Sequence, residues 1–203
     1  MPATTPTTRL EAVNVMLSQQ GEEPYSSLSG QVTAEVKIAE MILDEISREV
    51  LAMGWKFNTE YDWPLSPNSD DNIILPTDAI NLRFPRHEKS QYTTRDGKVY
   101  DRTNRTFTIT STLKVDLTWL LEFTQLPEVA RKYITIRAGR EFAARYLASE
   151  SVHTFTEQSL FEALTNLQDQ EGEQQDANIL DNPDIHTTVL GMRNANMGRF
   201  GAV

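Results

Sequence analysis

At 203 residues the chain is long enough for one large domain, or for a domain with a sizeable insertion, and it can bury a core without staples. It contains no Cys, which excludes disulfides and thiolate metal sites and fits a reducing compartment such as a bacterial cytoplasm. Lys and Arg number 19 against 29 Asp and Glu, a net charge of -10 that repels a phosphate backbone, and no run of about 18 apolar residues offers a membrane span.

The first nine residues are rich in Thr and Pro, and no apolar stretch suited to a secretory signal follows them. Thr8 and Glu11 then have the spacing of a capping box. Leu10, Val13 and Leu17 share one face of a helix expected over about residues 9–20, with Gly21 as its stop. Asn14 lies on that face, where its amide either ties a neighbouring loop or sits at the helix edge in water.

Val32, Val36, Ala39, Leu43, Ile46, Val50 and Met53 recur in steps of four and three, a heptad stripe that predicts a second helix ending at Gly54. Asp44 and Arg48 stand at i,i+4 on the opposite side. Ile38, Met41 and Ile42 widen the apolar sector, either for a second helix of the same chain or for another subunit.

After Gly54 the period changes to two. Trp55, Phe57, Thr59 and Tyr61 alternate as a half-buried strand does, and strand-like text punctuated by Pro64, Pro67, Pro76 and Pro85 runs to about residue 121. Asp96-Gly97 between two alternating segments marks a hairpin with a type I′ turn, and Thr106–Thr110 with Leu113–Leu117 suggests a second hairpin.

Helical text resumes at Leu126-Pro127-Glu128, with Pro suited to a first helical position and an acid suited to a first turn. Val129, Tyr133, Ile136, Arg140, Ala143 and Leu147 repeat the four-three spacing. An arginine in such a stripe either snorkels to its edge or meets a carboxylate. Thr154 and Glu157 repeat the capping-box spacing before Leu160, Phe161, Leu164 and Leu167. The polar run Asp169–Asp176 leaves the apolar phase, Asn182-Pro183 breaks it, and Met192–Val203 reads as a flexible tail.

These elements predict an α+β fold: a mainly α-helical bundle of about four helices, from residues 1–54 and 122–181, with a small antiparallel β-domain inserted at 55–121 and a tail at 182–203. Local catalytic motifs are missing. His87, His153 and His186 are far apart, and neither a phosphate-cradling Gly-rich loop with Lys nor a Gly-x-Ser-x-Gly elbow is present, so no enzyme activity, cofactor or metal is expected. The alternative is a carbohydrate-degrading enzyme, with distant carboxylates in a cleft and Trp55, Trp63 and Trp119 as a stacking platform.

In order and spacing, Ala12-Val13-Asn14, Gly21-Glu22-Glu23-Pro24, Gly54-Trp55-Lys56-Phe57-Asn58, Val99-Tyr100-Asp101-Arg102, Leu126-Pro127-Glu128 and Ala138-Gly139-Arg140-Glu141-Phe142 resemble the tail tubular protein A family of podoviruses, also called gatekeepers or head-to-tail adaptors. The resemblance covers about residues 10–165. It implies a dodecameric ring in the virion neck, made in the host cytoplasm and set between the portal and the nozzle (tail tubular protein B). Tail fibres attach near that junction, and genome DNA passes through the lumen without specific binding. Arg140, Met41, Met192, Arg193, Arg199 and Phe200 are the expected subunit or partner contacts. An aspartate in the α-helical stripe would strand a charge in the core. Leu43→Asp or Ile46→Asp is therefore expected to cost about 4 kcal/mol or more and to abolish the helical circular-dichroism signal.

Overall fold

A computed structural model describes residues 6–18, 23–30, 32–85, 91–147 and 157–173. Gly21, Glu22, the three histidines, Thr154 and everything from Gln174 onward, including the expected tail, lie outside the described residues. The chain divides into one compact unit through Leu167 and a second from Gln168.

Helix α1 (Arg9–Ser18) begins at the capping box: the Thr8 N–H donates to Glu11 Oε2 at 2.7 Å, and the Glu11 N–H donates back to Thr8 Oγ1 at 3.2 Å. The Thr8 N–H foremost, and then the Thr8 hydroxyl at 3.1 Å from Glu11 Oε2, hold the Glu11 carboxyl below its ordinary range. Asn14 ties a loop: its Nδ2 donates to the Tyr25 carbonyl at 2.8 Å, and its Oδ1 accepts the Tyr25 N–H at 2.9 Å.

Helix α2 (Ala34–Ala52) buries Val36, Ala39, Ile42, Leu43, Ile46, Val50 and Leu51, which is the expected stripe widened by Ile42 and Leu51. Val32 is only partly buried, and Met53, placed in the stripe by periodicity, is 56% exposed because the helix has already ended. Asp44 does not engage Arg48. It receives Arg9 from α1, with Arg9 Nη2 at 2.9 Å from Asp44 Oδ2 and Arg9 Nε at 3.4 Å from Glu40 Oε1.

Past α2 the expected strand at Trp55–Phe57 is instead a 3-10 turn over Lys56–Asn58. The reason is the helix C-terminus. Gly54 takes a left-handed φ of 77°, and the last carbonyls of α2, which accept 3-10-type bonds from the Met53 and Gly54 N–H groups, gain side-chain donors as well: Trp55 Nε1 bonds Val50 O at 2.7 Å, and Asn58 Nδ2 bonds Leu51 O at 2.9 Å. Trp55 and Phe57 accordingly stack on each other and pack on the helical core.

Strands β1 (Thr59–Leu65), β2 (Ala79–Arg83) and β5 (Leu113–Trp119) form an antiparallel sheet in the order β1-β5-β2. Edge strand β1 tolerates Pro64 and bulges between Glu60 and Trp63, where Asp62 has a φ of 55°. Strands β3 (Tyr92–Arg95) and β4 (Lys98–Asp101) make the expected two-residue hairpin, with φ of 50° at Asp96 and 68° at Gly97. The second predicted hairpin does not form. Thr106 and Thr108 make only single bridges, to Asp101 and Asn72, while β5 is claimed by β1 and β2. Leu65, Ile73, Phe84, Val99, Ile109, Leu113, Val115 and Leu117 close a core of their own beneath these strands.

Helix α3 (Glu128–Phe142), followed by a π-helical stretch (Ala143–Leu147), is the inner helix of the bundle and is buried on most of its surface, including Ala130, Ile134, Ala138 and Phe142. The deeply buried arginine is Arg131, not Arg140. Near the helix start its long side chain reaches back over the preceding turn, so that Nε bonds Leu126 O at 2.9 Å, Nη1 bonds Thr7 O at 2.9 Å and Nη2 bonds Thr124 O. In α4 (Glu157–Glu173) the packed face is Leu160, Ala163, Leu164 and Leu167. Phe161, assigned to that face from sequence, is 69% exposed, because one step of 100° carries it off the line through Leu160 and Leu164. The whole is α+β.

Asn58 also donates to the Trp119 carbonyl at 2.9 Å, so one buried amide serves α2 and β5 together. Asn58→Ala is expected to cost roughly 2–3 kcal/mol in urea unfolding. Asn58→Asp is expected to cost more, since a carboxylate would then oppose two carbonyl oxygens.

Candidate interaction surface

The expected contact residues within the described chain lie on different helices. Arg140, on α3, is about a quarter exposed and reaches Glu157 of α4 at 3.7 Å, a loose interhelical pair within one chain. Met41 is 58% exposed on the outward line of α2, which also carries Lys37, Glu45 and Arg48. No contact among the described residues brings the two into one site. Met192, Arg193, Arg199 and Phe200 lie outside the described residues.

Three features stand out on the surface. One is the open face of the sheet beside the end of α2, where Thr59, Tyr61, Asn81, Arg83, Asp116 and Thr118 line a shallow groove next to Met53. Tyr61 is 64% exposed there. Its neighbour in sequence, Trp63, points the other way and meets Trp119 edge-to-face at 5.5 Å, while Trp55 packs on the helical core; an edge-to-face pair offers no flat platform for a sugar ring.

A second feature is the set of seams between helices, where arginines are consumed. Arg9 joins α1 to α2, Arg137 pairs with Glu49, and Arg145 reaches Glu45 at 2.7 Å as well as Glu141 at 2.5 Å. Arg145 therefore holds the Glu45 carboxyl below its ordinary range.

The third is the loop after β4. Asp101 and Thr106 exchange backbone bonds of 2.9 and 3.2 Å, closing a loop of Arg102, Thr103, Asn104 and Arg105. The buried Asp101 carboxylate organises it from beneath, accepting the Thr103 N–H at 2.8 Å, the Asn104 N–H at 2.9 Å, Asn104 Nδ2 at 2.9 Å and Gln91 Nε2 at 3.0 Å. Arg102 and Arg105 are left facing solvent, the latter at a φ of 55°. On the outward side of the hairpin Arg95 lies over the Tyr100 ring at 4.1 Å, and Tyr100 meets Phe107 edge-to-face at 4.9 Å. Reading the elements alone passes over this loop. The available signal was the local excess of cations among Arg95, Lys98, Arg102 and Arg105 in an acidic chain. Among the described residues no group of three or more His, Asp or Glu is placed to hold a metal ion.

The tail tubular protein family model matches residues 10–177, and the chain belongs to that family, which makes it a structural protein of a phage tail. It is also similar to tail tubular protein A of Klebsiella phage KP34, at 26% identity over 125 residues that span 62% of this chain and 66% of that relative.

The Asp101 carboxyl is held below the ordinary aspartate range, chiefly by the Asn104 N–H and then by Gln91, with burial opposing. Its folded pKa is thus lower than its unfolded one. The stabilisation is fully present above the unfolded value of about 4 and is lost as pH falls through the lower folded value. Urea midpoints measured from pH 6 downward are expected to fall less steeply below about pH 4 in Asp101→Asn, which has no carboxyl to protonate.

Proposed function

We propose that the chain is a ring-forming adaptor in the virion neck, joining the portal to the tail nozzle and lining part of the channel through which the genome is ejected. Membership of the tail tubular family across most of the chain carries this reading, and the likeness to a tail tubular protein A supports the adaptor role. The partners are further copies of the chain in a dodecamer, the portal, the nozzle protein and tail fibres; DNA is passed through without specific binding.

The charge suits that task. A net charge of -10 on each copy, repeated around a closed ring, keeps a polyanion from adhering to the wall. In this reading the helices of residues 1–54 and 122–181 form the frame, the strands of residues 55–121 an inserted domain, and residues 182–203 a tail that orders on docking. Met41 and Arg140 then sit at subunit contacts, with Met192, Arg193, Arg199 and Phe200 meeting a partner ring. Loose pairing at 3.7 Å leaves Arg140 able to exchange Glu157 for a carboxylate of a neighbour.

Native mass spectrometry and negative-stain imaging of the purified full chain, alone and mixed with portal, are expected to show closed rings. A chain that stays monomeric even on the portal sinks the proposal.

A further inference from the structure

Two parts of the described surface differ in charge. Helix α4 carries Glu157, Glu162, Asp169, Glu171 and Glu173 and no Lys or Arg. On its outward face the large aromatic Phe161 is 69% exposed beside the exposed Glu162, which among the described residues accepts a bond from the neutral Gln158 of its own helix. The β3–β4 hairpin and its loop present Arg95, Lys98, Arg102 and Arg105, none in an ion pair among the described residues. Two of these cations stand on a loop whose backbone is already fixed by Asp101, so little backbone entropy remains to be lost when they are engaged.

Resting on the ring reading above, we infer that these two faces meet between adjacent copies: the outward face of α4 in one subunit, with Phe161 as anchor and Glu162 beside it, docks on the cationic β3–β4 hairpin and its loop in the next. Three observations converge on a second copy as the occupant. The charges are complementary. An exposed aromatic beside a carboxylate fits a face where Arg95 lies over the Tyr100 ring and Phe107 packs edge-to-face against it. The two faces are also different patches of one chain, which is what a head-to-tail contact in a closed ring requires. Duplex DNA is the less suitable ligand, because Arg95 already covers one face of the Tyr100 ring and the remaining chain is strongly acidic.

Charge swapping in the full chain, assembled under conditions where the unaltered protein forms rings, tests the contact. Arg102→Glu with Arg105→Glu, and separately Glu162→Lys, are each expected to weaken self-association about tenfold or more by sedimentation velocity, with unchanged circular dichroism. Combining them is expected to recover most of the loss, a rescue that a purely structural role does not give. Arg102→Gln with Arg105→Gln, which introduces no repulsion, is expected to fall between. If rings form and the reversed-charge hairpin assembles like the unaltered chain, this contact is wrong while the ring stands. If the unaltered chain forms no ring even on portal, the ring reading fails and this inference goes with it. Duplex DNA bound by the unaltered chain and lost in Arg102→Glu/Arg105→Glu, with assembly intact, would overturn the inference and assign the face to nucleic acid.

Discussion

The side-chain amide of Asn58, a single buried group, shares its hydrogen bonds between the end of a core helix and the end of the central strand. Its Oδ1 accepts the Trp55 N–H, and its Nδ2 is shared between Leu51 O at the end of α2 and Trp119 O at the end of β5. A chain that leaves a helix, builds a sheet and returns to a helix must bring its departure and return points together. Asn58 does this with two donors and one acceptor at no cost in buried unsatisfied groups. Gly54 suits the turn because its φ of 77° lies in the left-handed region that glycine adopts without strain.

The second fixed point is Arg131. Three backbone carbonyls, from Thr7, Thr124 and Leu126, converge on one guanidinium at the start of α3, where the preceding turn exposes carbonyls that no helix satisfies. Thr7 is held a second time, by its N–H to Glu128 Oε2 at 2.9 Å. The segment before α1 is thereby locked to the far side of the insertion in sequence. Asn58 and Arg131 act on opposite flanks of that insertion, and both use side chains to complete backbone groups that secondary structure leaves open.

What the letters disclosed follows from where hydrophobic period and turn chemistry act locally. The α2 stripe, the Thr8–Glu11 cap and the Asp96-Gly97 hairpin were all legible, because each depends on residues within a few positions of one another. Misreadings arose where a distant partner decided the outcome. Trp55 and Phe57 alternate like a strand, yet the helix end they cap is claimed by Asn58 and Trp55 side chains. Thr106–Thr110 alternates too, but the central strand β5 had other partners, and pairing across a sheet is not written in either strand alone. In α3 burial on most sides erases the one-faced pattern, so Arg140 in the stripe drew attention while Arg131 carried the buried contacts. The cationic loop was visible as composition only; its order comes from the buried Asp101, whose role no spacing rule announces.

The distribution of charge links these local facts to assembly. Arg9, Arg137, Arg140 and Arg145 each lie at a seam between helices, where they meet Asp44, Glu49, Glu157 and Glu45. Exposed pairs of this kind add little stability each, so their effect is chiefly to set register between helices. Spending the helical arginines inward has a consequence for the outside. Acids outnumber cations in the bundle, and among the described residues Arg95, Lys98, Arg102 and Arg105 of the hairpin and its loop stand outside any ion pair, as do Lys37, Arg48 and Lys132 on the helices. A sequence of random charge order would average these regions to the same mild negative potential. Here the same net charge is sorted into an acidic helical surface and a small cationic one on ordered loop backbone, and it is this sorting, rather than the total of -10, that gives copies of the chain a preferred way to approach one another.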